Sequence, residues 1–211
     1  MEEITNATQT SKLMLTTREL FFILLSFFSG TLPFSFWLGN FFAQTDIRTI
    51  GDKNPGSSNV FRTGHLKLGI LAIVLDFTKG LLPVLFLAQL LDIGSIAWIA
   101  VAIAPVFGHA FSPFLRFRGG KAVAVTFGIW TALTIWIVPS FLGAMLAIIY
   151  LCFEVSTDGW KVMIGLTSVV IPLLIMQADY SYWLILGLNI IVVGYKHRSD
   201  LTKPLQIAIK H

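Results

Sequence analysis

The sequence predicts an all-α integral membrane protein of about seven transmembrane helices, and three observations carry that reading. Hydrophobic residues make up 55% of the chain and charged ones 12%, giving a mean hydropathy of +0.79, far outside the range of soluble globular domains. The apolar residues come in long runs separated by polar stretches. The basic residues gather in alternate polar stretches, the pattern of a membrane protein with one fixed orientation.

The chain opens with a polar segment, residues 1–19, that lacks the cationic start and small-residue cleavage site of a signal peptide, so the first apolar run is expected to remain as a helix. Asn6-Ala7-Thr8 fits a glycosylation sequon, a pattern common enough by chance to carry little weight. A bilayer core of roughly 30 Å takes about 20 helical residues. The runs that suit it are Leu20 to Phe42, Leu68 to Leu91, Ile96 to Leu115, Ala122 to Trp136, Pro139 to Phe153, Val162 to Ala178 and Tyr180 to Tyr195. The fourth and fifth share one apolar stretch, with the break expected near Val138-Pro139 because proline interrupts a helix. Residues 20–195 thus read as a single transmembrane domain and 196–211 as a basic cytoplasmic tail.

With seven spans, one side of the membrane receives Arg48, Lys53, Arg62 and Lys67, then Arg116, Arg118 and Lys121, then Lys161, and finally Lys196, Arg198, Lys203 and Lys210. The other side has Lys12 and Arg18. The N-terminus is therefore expected outside and the C-terminus in the cytoplasm. Every stretch rich in polar side chains falls on the cytoplasmic face. The outer loops are nearly featureless, which disfavours a transporter.

The formal charge of +4 does not imply nucleic acid, because the basic residues form no runs and sit between apolar spans. The single cysteine, Cys152, permits no disulfide within the chain, and no zinc, haem or other metal-ligand spacing occurs, so no cofactor is expected. A Gly-x-Ser-x-Gly elbow and a His-x-x-x-x-Asp pair are both missing. Any chemistry here must rest on positioning and anion stabilisation.

The stretch Asp46 to Lys67, DIRTIGDKNPGSSNVFRTGHLK, is too long and too polar for a simple link between helices. Its glycines, Asn and Ser donors and Arg62 have the composition of an anion cradle. In the second span, Asp76 and Lys79 lie about one turn apart on an otherwise apolar helix. A structural ion pair is the favoured reading, and a substrate role for Lys79 the alternative. GHAFSPFLRFRGGKAVA places His109 near a helix end and Gly119, Gly120 and Lys121 before the next helix, where exposed amides and an ammonium suit a phosphate. Read alone, the same glycines make a tight turn and Lys121 a topology charge. His197 and Arg198 follow the last span on that face.

Together these stretches resemble the bacterial acyl-phosphate:glycerol-3-phosphate acyltransferase family, whose pattern is approximately GSGNIGATNVLR, GHxFPVFLxFKGGKGVA and HRxNI, in that order. Here the counterparts are GDKNPGSSNVFR, GHAFSPFLRFRGGKAVA and HRSDL, spread over nearly the whole chain. The resemblance implies seven helices in a bacterial cytoplasmic membrane, with the site facing the cytoplasm and membrane lipid around it. It implies acyl transfer from acyl phosphate to the 1-hydroxyl of glycerol 3-phosphate, giving lysophosphatidic acid and phosphate. It also implies that Asn54, Ser58, Asn59 and Arg62 form one phosphate-binding loop and Gly119, Gly120 and Lys121 a second, with Arg198 a further anion contact. His109 and His197 would orient substrate or relay a proton. The chain departs from the pattern at Asp52 (Ser in the family), Lys53 and Ala122 (both Gly) and Asp200 (Asn). Asp52 reads either as a base for the acceptor hydroxyl or as the mark of a different acceptor or donor.

Overall fold

The structure is a computed structural model and describes residues 15–210. Most of the N-terminal polar segment, including the Asn6 sequon and Lys12, lies outside the described residues. Helix α1 (Thr17–Thr31) starts on a capping box, Thr16 and Glu19 satisfying each other's backbone N–H groups. It breaks at Leu32-Pro33, then resumes as a short α2 (Phe34–Trp37) and a π-turn over Leu38–Phe42. The loop that follows carries a 3-10 turn, Ile47–Thr49, and a short α3 (Ser57–Arg62). Long α4 (Leu66–Leu87) and α5 (Ile96–Ala110) come next, then α6 (Val123–Thr134), α7 (Ile137–Cys152), α8 (Asp158–Thr167), α9 (Val170–Ile175) and α10 (Tyr180–Lys196). A single turn, α11 (Arg198–Leu201), begins the tail.

Among the described residues, four stretches are long and apolar enough to cross a membrane: Thr17–Phe42, Leu66–Leu90, Ile96–Leu115 and Asp158–Ile175. Helices α6, α7 and α10 occupy the other three predicted runs but are shorter, with 12, 16 and 17 residues. At 1.5 Å per residue, α6 is only about 18 Å long. The break between α6 and α7 falls at Ile135, whose backbone is left-handed at φ 55°, and not at Val138-Pro139. Pro139 sits in the first turn of α7, where no intrahelical N–H bond is lost.

The described part of 196–211 folds back onto the helices: Ile207–Ile209 (β2) pairs antiparallel with Phe153–Val155 (β1), so the described fold is helical with a two-stranded ribbon. Trp160 donates its indole N–H to the Lys203 carbonyl at 2.9 Å, and Lys210 donates to the Tyr150 carbonyl at 2.6 Å. Thr167 and Ser168 bond carbonyls within their own helix turn, at 2.9 and 2.6 Å, and close the break between α8 and α9 locally.

Helices α1 and α5 pack together, as do α4 and α6. Glycine permits both crossings: a Cβ at Gly108 would strike the Phe27 carbonyl of α1, and one at Gly128 would strike the Phe77 carbonyl of α4. Behind them, fully buried Trp130 donates to Asn189 Oδ1 at 3.1 Å, and Asn189 donates to Thr126 Oγ1 at 2.9 Å, tying α6 to α10.

The crossings yield a test. Gly128→Val is expected to lower the unfolding midpoint in detergent by several degrees or more, whereas Gly187→Val, at a helical glycine with open space around it, leaves the midpoint unchanged. Differential scanning fluorimetry of the two variants reads the difference.

Candidate active site

The break in α1 builds the floor of the site. Once Pro33 interrupts the helix, the Thr31 and Leu32 carbonyls lose their helical partners in an apolar setting. Ser112 donates to the Thr31 carbonyl at 2.6 Å and Lys79 to the Leu32 carbonyl at 2.6 Å. Lys79 also pairs with Asp76 at 2.7 Å, both side chains being almost wholly buried, and Ser35 of α2 donates to the other Asp76 oxygen at 2.6 Å. Asp76 and Lys79 thus form the structural ion pair, and Lys79 faces the broken helix rather than the large cavity described below. His109 Nδ1 lies 3.8 Å from Asp76 and has no hydrogen-bond partner among the described residues.

Above this floor three chain segments converge on Lys121. Its ammonium lies 2.9 Å from Asp52 Oδ2 in the first loop and 3.0 Å from Asp200 Oδ2 at the start of the tail. Arg62 Nη1 stands 3.8 Å from Asp52 Oδ1. The same Asp200 oxygen meets His197 Nδ1 at 3.2 Å, leaving the buried Nε2 of His197 without a partner among the described residues. A cavity of about 350 Å³ opens beside this cluster. Asp52, Asn54, Ser57, Ser58, Arg62, Lys121, His109 and His197 line its polar part, and Ile73, Val123, Phe127 and Val162 its apolar part.

Not every expected residue reaches the cavity. Asn59 is fully buried, and its amide nitrogen lies within 3.2 Å of the Ile47, Ile50 and Asn54 carbonyls and of Asp52 Oδ1. Its Oδ1 accepts from Arg62 Nη1 at 3.0 Å, so Asn59 shapes the loop and aims Arg62. Gly119 and Gly120 are buried against the end of α5, where Gly120 N–H donates to the His109 carbonyl at 3.2 Å. A Cβ at Gly119 would strike that carbonyl, and one at Gly120 the imidazole of His109. These glycines let the loop lie on His109, and neither is part of the cavity lining. Arg198 is exposed, donating to the Tyr195 carbonyl at 3.0 Å and stacking on the Tyr195 ring, outside the cavity lining.

Two departures from the family pattern gain a physical meaning. Lys53 and Ala122, where the family has glycine, both take left-handed backbone, with φ 59° and 61°. Glycine adopts that region without penalty, whereas other residues bear a cost of about 1 kcal/mol.

Sequence reasoning does not mark Tyr150, Asp158 or Ser57 as site residues, and marks Asp200 only as a departure from the family pattern. Tyr150, Asp158 and Ser57 line the cavity, and Asp200 touches both Lys121 and His197. The signal for Asp200 was its place three residues after His197, one helical turn away.

The cluster sets its own protonation. Burial alone would raise the Asp52 and Asp200 carboxyls, but the Lys121 contacts, with the Asn54 N–H and Asn59 at Asp52 and His197 at Asp200, outweigh it and hold both below the ordinary value of 3.8. Burial opposes the charge on Lys121 as well, yet its two carboxylates raise its pKa overall. Burial and then Lys121 lower the pKa of His197, so its imidazole is neutral at pH 7. Asp52 is thus held as a carboxylate against the Lys121 ammonium.

The sequence profile described as Glycerol-3-phosphate acyltransferase matches residues 20–206. The chain belongs to that family. A relative named Glycerol-3-phosphate acyltransferase 1, from Thermotoga maritima, is 34% identical over 206 residues, covering 88% of this chain and 97% of its own length. Another, from Maridesulfovibrio salexigens, is 38% identical over 154 residues, covering 72% and 74%. Among solved structures, the glycerol 3-phosphate form of PlsY (YgiH), an integral membrane glycerol 3-phosphate acyltransferase, superposes with a TM-score of 0.76 at 25% identity over 87% of this chain and 90% of that one.

The depressed carboxyls give a pH prediction. A group whose folded pKa is lowered stabilises the fold above its unfolded pKa, and that contribution is lost as pH falls through the folded value. The difference in unfolding midpoint between the protein and its Asp200→Asn variant is therefore expected to stay constant from about pH 8 to 5 and to shrink below about pH 4. Thermal unfolding across a pH series checks it.

Proposed function

We propose that this chain is an integral-membrane acyltransferase that moves a fatty acyl group from acyl phosphate to the 1-hydroxyl of glycerol 3-phosphate, releasing lysophosphatidic acid and inorganic phosphate. One observation carries the reading: Arg62, Lys121 and two serines share a single cavity with an apolar wall. The polar part suits a phosphate, with Arg62 and Lys121 as cations and Ser57 and Ser58 as hydroxyl donors. The apolar part, along Ile73, Phe127 and Val162, suits an acyl chain.

An acyl phosphate is already activated, so the protein's task is alignment and charge stabilisation. The acceptor oxygen forms a bond to the acyl carbon as the bond from that carbon to the phosphate oxygen breaks. The hydroxyl proton ends on the departing phosphate. His109 and His197, both buried with an unpartnered ring nitrogen, are the groups available to orient the hydroxyl or carry that proton.

The same reading has seven membrane crossings, a site facing the cytoplasm and a bacterial cytoplasmic-membrane location. The cytoplasmic placement is supported by the basic residues that gather around the cavity end of the fold. After replacement of the exposed Cys152, a cysteine introduced at Lys53 is expected to react with a membrane-impermeant maleimide in inside-out vesicles and not in intact cells.

Activity is tested by phosphate release from palmitoyl phosphate by the purified, detergent-solubilised protein. Release that depends on glycerol 3-phosphate, with lysophosphatidic acid as co-product, is the expected result. Arg62→Ala is expected to cut kcat/KM for glycerol 3-phosphate by 10-fold or more, roughly the loss of one charged hydrogen bond. Release that ignores glycerol 3-phosphate would assign the site to another acceptor.

A further inference from the structure

The charges around Lys121 cancel. Arg62 and Lys121 are the cations of the proposed phosphate site, and Asp52 and Asp200 are the carboxylates in contact with them, at 2.9 Å and 3.0 Å from Lys121 and 3.8 Å between Asp52 and Arg62. His197 is the next titratable group and shares the Asp200 carboxylate with Lys121. Nearby charges have partners of their own, Asp158 with Lys161 at 2.9 Å and Asp76 with Lys79 at 2.7 Å. The polar part of the cavity is thus formally neutral. With the Ser and Asn of the family pattern at these two positions, the same cluster would carry two positive charges.

We propose that Asp52 and Asp200 are built-in counter-ions on Lys121 that an incoming phosphate must displace. The inference rests on the acyltransferase reading above and deepens it. A dianionic phosphate approaching Lys121 meets two carboxylates within hydrogen-bond distance of the same ammonium. Binding requires exchange of one anion for another, so affinity for every phosphate falls, including inorganic phosphate, the product. Asp52 and Asp200 come from different segments, the first loop and the tail. Phosphate binding therefore also releases the contacts through which Lys121 joins those segments.

The test uses inorganic phosphate as the probe, titrated calorimetrically into the detergent-solubilised full chain, alongside KM for glycerol 3-phosphate. Asp52→Asn and Asp200→Asn keep side-chain shape, and Asp52→Ser restores the family residue should Asp52→Asn disturb the loop. Each single variant is expected to bind phosphate about fivefold more tightly, the order of one partly exposed ion pair, and the double variant at least about tenfold. KM for glycerol 3-phosphate falls in parallel. Equal or weaker phosphate binding in variants that keep the wild-type circular-dichroism spectrum would overturn the proposal and make the carboxylates positioning residues for Lys121. If the protein fails to use glycerol 3-phosphate at all, the phosphate titration still decides the counter-ion role, and only the acceptor is reassigned.

Discussion

A helix cannot break inside an apolar layer without something taking up the carbonyls it frees, and this constraint organises the site. Pro33 interrupts the first helix, and the exposed carbonyls of Thr31 and Leu32 are met by Ser112 and Lys79. Lys79 is charged and buried, so it needs Asp76. Asp76 has a second oxygen, which receives Ser35. The same carboxylate lies beside His109, and His109 supports the Gly119-Gly120 turn that delivers Lys121. A chain of obligations thus runs from one proline to the central cation of the cavity.

Polar and apolar walls meet in one cavity because the segments that form them belong to different parts of the chain. The loop before α4 brings Asp52 to Arg62, the turn before α6 brings Lys121, and the residues after α10 bring His197 and Asp200. Apolar walls come from α4, α6 and α8. A reactant with a phosphate head and a fatty tail needs both kinds of wall at once. The β-ribbon between Phe153–Val155 and Ile207–Ile209 holds the tail against the end of α7, which keeps Asp200 within reach of Lys121.

Much of this was legible in the sequence, for identifiable reasons. Hydropathy places the four stretches long enough to cross a membrane among the described residues, and the spacing of Asp76 and Lys79 gives their pairing, because a buried charge without a partner is too costly. The polar loops announced Arg62 and Lys121 by residue type. Sequence could not reveal what each glycine and amide does locally. For Gly119 and Gly120 the sequence leaves phosphate-facing amides and a tight turn both open, and the fold sets them on His109; Asn59 braces the loop from within. The break between α6 and α7 was assigned to Pro139, the conspicuous residue, whereas Ile135 bears it through a left-handed backbone that no composition rule marks. Long-range pairings such as Asp52 and Asp200 on one ammonium are invisible without the fold.

The central claim is that Lys121 anchors the phosphate of the acceptor in the cavity it shares with Arg62. Equilibrium dialysis of radiolabelled glycerol 3-phosphate against the solubilised protein and its Lys121→Ala variant tests it most directly. Saturable binding to the wild-type chain that is abolished in a variant with an unchanged circular-dichroism spectrum is the predicted result. Undiminished binding to the variant would contradict the account and put the phosphate elsewhere in the fold.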